Sequence, residues 1–302
     1  MIHNLEHFAN MCKFPTAATQ FLLEHEDYLS KNHAEGIFTQ CRDFLFQETE
    51  DPWQILDDYA EKIGLHPFIV HILFLIYCAP ETHLRYQKMG LPDDLYWDSM
   101  KDMKYKMEIT YNMYGFWGMY CGPWISSFFL LKCFCLGRLQ FELLESHFHY
   151  ELDGCVLKTG DPVINVHIPS FGKLLHEDVL DAYARAAIFF KNTFPDGKFW
   201  FHCETWMMYP QVYALIPKGN MTRFVADYDI VSTYIDPTQD DRFRVFPHPP
   251  EDPVEIYPEN TPLQRDLKAW LLAGNTMGIG HGLMLWKDGG IIHHNITTAT
   301  DV

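Results

Sequence analysis

Between Pro162 and Phe190 the chain reads PVINVHIPSFGKLLHEDVLDAYARAAIFF, and this stretch restricts the fold more than any other. Val163, Ile164, Val166 and Ile168 favour a strand, and Pro169 and Gly172 break it. Leu180, Tyr183, Ala184, Ala187 and Ile188 then recur at helical spacing. A strand, a short loop and an amphipathic helix are expected in that order. Such a loop delivers unpaired backbone amides and the positive end of the helix dipole to one place, a seat for a phosphate or carboxylate. The same unit serves as bare scaffold in many folds, so by itself it names no ligand.

From the N-terminus to about residue 130 the pattern is helical. Pro15 and Thr16 open a helix to Leu29, and Asp51 and Pro52 open another over Trp53–Ile63 that Gly64 stops. Pro67 begins a third, which Pro80 is placed to end or kink. Leu91-Pro92-Asp93 opens a longer one to about Asn112, with a core-like stripe of Tyr105, Met107, Ile109 and Met113. Past residue 130 the periodicity changes. Arg138–His149 and Cys155–Lys158 read as hairpin strands about an Asp153-Gly154 turn. Lys198–Trp206, Tyr228–Ile235, Arg242–Phe246 and Gly282–Trp286 read as further strands, and Pro210–Asp227 and Gln264–Ala273 hold helices. The expected class is α+β: an all-α N-terminal domain over residues 1–130, then a mixed α/β domain over 131–302.

Composition removes several functions. The 302 residues carry 23 Lys and Arg against 40 Asp and Glu, a formal charge of −17, with no basic run. A nucleic-acid partner is therefore not expected. Acidity still allows an anionic cofactor, because local donors such as the amides near Gly172 and Lys173 outweigh a distant field screened within about 8 to 10 Å. It favours a neutral or cationic second substrate, such as an amine. The eight cysteines lie in apolar contexts without a CxxC pair and read as reduced core thiols. MIHNLEHFANMCK lacks the basic and apolar regions of a secretory signal, so a cytoplasmic location is expected. The apolar run Pro67–Ala79 falls short of the about 20 residues of a span, and Gly115–Leu136 is broken by Gly118, Gly122 and Pro123 and carries Lys132. Both read as core helices, and no membrane partner is expected.

Six segments carry a family resemblance: LGRLQFE at Leu136–Glu142, VINVHIPSFGKL at Val163–Leu174, FFKNTFP at Phe189–Pro195, FHCETWMMYP at Phe201–Pro210, GNMTRF at Gly219–Phe224 and TPLQRDLKAWLLAG at Thr261–Gly274. In their order and spacing the chain resembles bacterial acyltransferase-domain proteins that pair an all-helical N-terminal domain with a GNAT-like C-terminal domain. The resemblance implies an acyltransferase that takes its acyl group from acyl-CoA or a related thioester and gives it to an amine or hydroxyl acceptor. It implies that the loop after the first central strand clasps the cofactor pyrophosphate, here Ile168, Ser170, Phe171, Gly172, Lys173 and Leu174. That loop departs from the common Arg/Gln-x-x-Gly-x-Gly/Ala pattern. A non-catalytic small-ligand or partner-binding module on the same fold is the alternative. Acyl group, acceptor and oligomeric state stay open.

Acyl transfer needs a group that takes the acceptor's proton and one that protonates the leaving thiolate. His167 precedes the loop, and Glu204 follows two residues after His202, so His167 and Glu204 are the candidate bases. Cys203 is the candidate acyl-carrying nucleophile, and Tyr209 and Tyr213 are candidate acids. Alternation places His202 and Glu204 on one strand face and Cys203 on the other. Glu145, His147 and His149 share a strand phase, with Cys155 across a turn, which would suit zinc; they also fit a solvated strand face, and no metal is expected. Gly278, Gly280 and Gly282 form a GxGxG run in the wrong order for a phosphate loop and read as a tight turn. His293 and His294 read as tail residues.

Overall fold

The computed structural model describes residues 2, 4–235, 237, 238, 240–249 and 251–293; His294 lies outside them. Two compact units divide the chain, Met1–Cys135 and Leu136–Val302.

In the first unit the described elements up to Phe129 are helices: α1 (Leu5–Met11), α2 (Thr16–Lys31), α3 (Ala34–Gln47), α4 (Trp53–Ile63), α5 (Pro67–Lys88), α6 (Asp93–Met100), α7 (Asp102–Tyr114) and α8 (Gly122–Phe129). Asp51 Oδ1 accepts from the Trp53 amide at 3.0 Å to start α4, and Gly64 at φ 73° ends it. Every residue from Ile69 to Ile76 is buried, which makes α5 the core helix of this unit. By length and composition alone α5 could cross a membrane, but 61% of its most apolar window is buried inside the protein. Of the two outcomes expected at Pro80, an end to α5 does not occur, because buried Cys78, Ala79, Thr82 and Tyr86 hold the helix on both sides of the lost amide. One expectation is corrected. The single helix expected to Asn112 is divided at Lys101 into α6 and α7.

β1 (Cys133–Leu136) spans the division. The second unit continues with β2 (Leu139–Glu145), β3 (Tyr150–Leu152), β4 (Cys155–Leu157), β5 (Pro162–His167), α9 (His176–Phe189), β6 (Phe199–Thr205), α10 (Pro210–Tyr213), α11 (Asn220–Val225), β7 (Asp229–Ile235), α12 (Pro262–Leu272), β8 (Gly278–Lys287) and β9 (Gly290–Ile292). Within it the sheet order is β2-β5-β6-β8-β7, with β9 on β8 and the β3-β4 hairpin apart. β5 and β6 are parallel and the other pairs antiparallel, so the sheet is mixed and the α+β class holds. The hairpin turns on Asp153 at φ 52° and Gly154 at φ 67°, both left-handed, where the sequence predicts, but its first strand is Tyr150–Leu152 and not Arg138–His149, whose β2 pairs with β5 instead.

The two sheet faces differ. One carries Phe141 and Phe201, their ring centroids 6.0 Å apart, and is covered by α9, whose Tyr183 lies 5.2 Å from Phe201 and bonds the Tyr228 hydroxyl at 2.9 Å. On the other, Leu152, Cys155 and Leu157 of the hairpin pack on Val163, Trp200, Leu283 and Leu285. Farther along that second face the same strand phases carry Glu142, Asn165, His167, His202, Glu204 and His281. An apolar floor thus gives way to a polar row.

Two strand expectations and one turn expectation fail for local reasons. β2 stops at Glu145 because the Ser146 side chain bonds both the amide and the carbonyl of Phe148, at 3.0 and 3.1 Å, and draws the backbone out of the ladder. Arg242–Phe246 is no strand: a 3-10 turn covers Asp240–Arg244, and buried Phe246 stacks on Tyr257 at 4.7 Å. The GxGxG run lies inside β8 rather than in a turn. A β-carbon on Gly280 would sit 2.5 Å from the Met208 carbonyl oxygen, and one on Gly278 2.5 Å from the Tyr209 ring, so the glycines admit the Trp206–Met208 turn against the strand.

Candidate active site

The parallel ladder between β5 and β6 pairs Ile164 with Phe201 and Asn165 with His202 and goes no further. Beyond it the two strands part, and the loop from Ile168 to Leu175 leaves the end of β5. Buried Arg138 pins this loop at both ends: Nε donates to the Lys173 carbonyl at 3.0 Å and Nη1 to the Pro169 carbonyl at 3.1 Å, while the guanidinium carbon lies 4.8 Å from the Phe171 ring centroid. Gly172 has φ 61°, the left-handed region, with open space around it. The amides of Gly172, Lys173, Leu174 and Leu175 donate to no group among the described residues. They lead into α9, whose first residue, His176, bonds Asp227 at 2.9 and 3.1 Å. Burial pushes the Asp227 carboxyl up, with His176 opposing. Ser170, Gly172 and Lys173 are exposed, Ile168 and Phe171 half-buried, and Leu174 is a core side chain that can offer a ligand only its amide.

The polar row forms one connected set. His167 Nε2 lies 2.7 Å from Glu142 Oε1, to which Asn165 Nδ2 also donates at 3.0 Å. Asn165 Oδ1 contacts His202 Nδ1 at 2.8 Å, and His202 Nε2 contacts His281 Nδ1 at 3.1 Å. The Tyr234 hydroxyl donates to Glu204, and its ring stacks on His281 at 5.5 Å. Phe148 lies 5.8 Å from His202 and 5.4 Å from His281. Burial works to raise the Glu142 carboxyl, but the bond and charge of His167 with the Asn165 amide hold it below its ordinary value. Burial, and next His281, depress His202 to about 4.

That depression fixes a pH dependence. Between 6.5 and about 4 the unfolded chain binds a proton at His202 that the folded chain refuses, so the contribution is intact above 6.5 and lost as pH falls toward 4. His202 alone then removes about 2 kcal/mol between pH 7.5 and 5. Urea unfolding midpoints at those two pH values should differ less in His202→Gln than in the parent.

The structure brings His167 into the row directly and leaves Glu204 exposed at its other end, bonded to Tyr234. Cys203 stands apart on the α9 face with no exposure, and burial pushes its thiol up, which suits a core thiol and not a nucleophile. Tyr209 is buried against Gly278, and Tyr213 lines a separate cavity of about 660 Å³ with Lys218 and Arg223. Since β2 ends at Glu145, His147 and His149 leave the strand phase that would align them, and among the described residues no three His, Cys, Asp or Glu side chains converge as a metal site. Glu142, Asn165, His281, Tyr234 and Arg138 are not singled out by the sequence. Asn165 stands two residues before His167 on a strand, so alternation alone could have found it. His281 is hidden inside the glycine run that reads as a turn.

A splayed parallel pair with open amides beyond one strand and a helix behind them defines a GNAT-like acyltransferase fold. Residues 133–284 match the family model of the GNAT-like C-terminal domain, and residues 3–131 that of the N-acyltransferase N-terminal domain. The chain belongs to this family of N-acyltransferases. Similar solved structures include an acyltransferase in complex with decanoyl-CoA and teicoplanin (TM-score 0.75), one in complex with CoA and 10C-teicoplanin (0.75) and a mutant acyltransferase in complex with octanoyl-CoA (0.74). Each is 18% identical, over 93% of this chain and 87% of the other. No sequence match is found among curated proteins.

Proposed function

We propose that the protein transfers an acyl group from acyl-CoA to an amine. The observation that carries this reading is the run of unbonded amides from Gly172 to Leu175, pinned from behind by Arg138 and opening beside the strand splay. Amides already held in place lose little freedom on meeting a pyrophosphate, which suits them to that group. The loop from Ile168 to Leu174 would hold the cofactor, and a bound thioester would supply the activated acyl carbonyl. Solved acyltransferases of this fold in complex with CoA, octanoyl-CoA or decanoyl-CoA support the choice.

The protein's own groups then handle the proton. As the amine nitrogen bonds to the carbonyl and the C–S bond breaks, the His202–His281 pair takes the amine proton and returns it to the leaving thiolate. Burial keeps His202 neutral at physiological pH, so its Nε2 can accept from His281 Nδ1 while the other ring nitrogen of His281 meets the amine. Phe148 shields both rings, and Glu204 with Tyr234 borders them on the open side. The acidic chain suits a neutral or cationic amine. In this reading the first unit is an all-helical domain, and the protein works in the cytoplasm without a nucleic-acid or membrane partner.

A thermal-shift titration with CoA, acetyl-CoA and longer acyl-CoAs tests the loop. At about 100 times its dissociation constant a ligand specific for the folded state adds about 2.7 kcal/mol. Gly172→Asp sets a carboxylate where the pyrophosphate would sit and should abolish the shift; the space there is open but the left-handed φ of 61° strains a side chain, so the shift is read against the variant's own melting temperature. No shift with any thioester would instead favour a binding module for another ligand.

A further inference from the structure

The polar row has a direction, and its donors and acceptors can be assigned from chemistry alone. A carboxylate only accepts. Glu142 Oε1 therefore accepts hydrogen bonds from both His167 Nε2 and Asn165 Nδ2. The 3.2 Å approach between those two nitrogens is that of donors sharing one acceptor. With its NH2 turned to Glu142, Asn165 offers its oxygen to His202, so His202 Nδ1 carries the hydrogen. Burial keeps His202 neutral, which leaves Nε2 as an acceptor. Its partner at 3.1 Å, His281 Nδ1, must then be the donor, and a neutral His281 keeps its lone pair at Nε2.

We infer that Glu142 and Asn165 are positioning residues that set both imidazoles in the Nδ1–H tautomer and so place the basic lone pair on His281 Nε2. Neither touches the reacting atoms. Each link lies on a different strand, Glu142 on β2, Asn165 on β5, His202 on β6 and His281 on β8, so sheet register holds the chain in order. A free histidine side chain favours the other tautomer, with hydrogen on Nε2. Without an acceptor-only group at position 142, the Asn165 amide is free to turn over, His202 can swap tautomers, and the lone pair is no longer held at the end of the chain. What the lone pair acts on rests on the transferase reading; its location does not.

The test is a long-range 1H–15N correlation spectrum of the whole protein labelled at histidine, with His202 and His281 assigned through His202→Gln and His281→Gln. Both rings are expected as Nδ1–H tautomers. In Glu142→Gln, whose amide can donate as well as accept, His202 and His281 are expected to shift to Nε2–H or to an average, with acyl transfer lowered about 10²- to 10⁴-fold. Stabilisation by acyl-CoA should be unchanged, and Glu142→Asp should keep the parent tautomers. An Nε2–H tautomer at either histidine of the parent overturns the inference, as do unchanged tautomers in Glu142→Gln. If Glu142→Gln does not fold, the parent spectrum alone decides. Nδ1–H tautomers in a protein that releases no CoA with any amine would support the chain and overturn the transferase reading.

Discussion

Replacing His202 with alanine is expected to lower acyl transfer by about 10²- to 10⁴-fold, the range that follows loss of a positioned acid–base group. His202 is the link through which Asn165 reaches His281, at 2.8 and 3.1 Å. Alanine breaks the chain between its ordering end and its basic end, and the imidazole pair can no longer share the amine proton. The proposed pyrophosphate seat is the loop after β5, which Arg138 holds and His202 does not touch, so the shift produced by acyl-CoA should survive. A fall in kcat with acyl-CoA KM unchanged marks this pattern; a rise in KM alone would place His202 in ground-state binding. Steady-state kinetics at saturating amine separate the two.

Gly280→Val should be the most damaging single substitution for folding among those considered. The first side-chain carbon would lie 2.5 Å from the Met208 carbonyl oxygen and 2.7 Å from its carbonyl carbon and β-carbon, so backbone must move. A loss of about 3 kcal/mol or more is expected, beyond the usual cost of overpacking because no flexible side chain can yield. The lower urea midpoint should be accompanied by weaker protection of amides in β6 and β8, which pair from Phe199–Trp286 to Thr205–Gly280. A midpoint unchanged from the parent would show that the 3-10 turn over Trp206–Met208 is free to leave the strand.

Those glycines also show where the sequence can and cannot be read. The strand-loop-helix unit is legible because β-branched residues, Pro169 and Gly172, and a helical apolar face occur in the order the chain uses them, and β5 and α9 follow within a residue or two. The Asp153-Gly154 turn is legible because only certain residues sit easily at positive φ. Gly278, Gly280 and Gly282 mislead because their cause is non-local: a turn some seventy residues earlier presses on the strand. His281 goes unseen with them. Arg138 is invisible as a loop clamp for the same reason, since its carbonyl partners lie 31 and 35 residues away. His167 is found from its place before the loop, whereas its acceptor Glu142 needs the β2–β5 register. Cys203 is suggested by its neighbours in sequence, although alternation already sends it to the opposite face.

The most direct test of the account is release of free CoA thiol from octanoyl-CoA or decanoyl-CoA by the purified protein, followed as a panel of primary amines is added. Thiol release is expected to depend on an amine, to be accompanied by one equivalent of amide, and to be nearly abolished in His202→Ala. Absence of amine-dependent release from any acyl-CoA, or release undiminished in His202→Ala, would contradict the account.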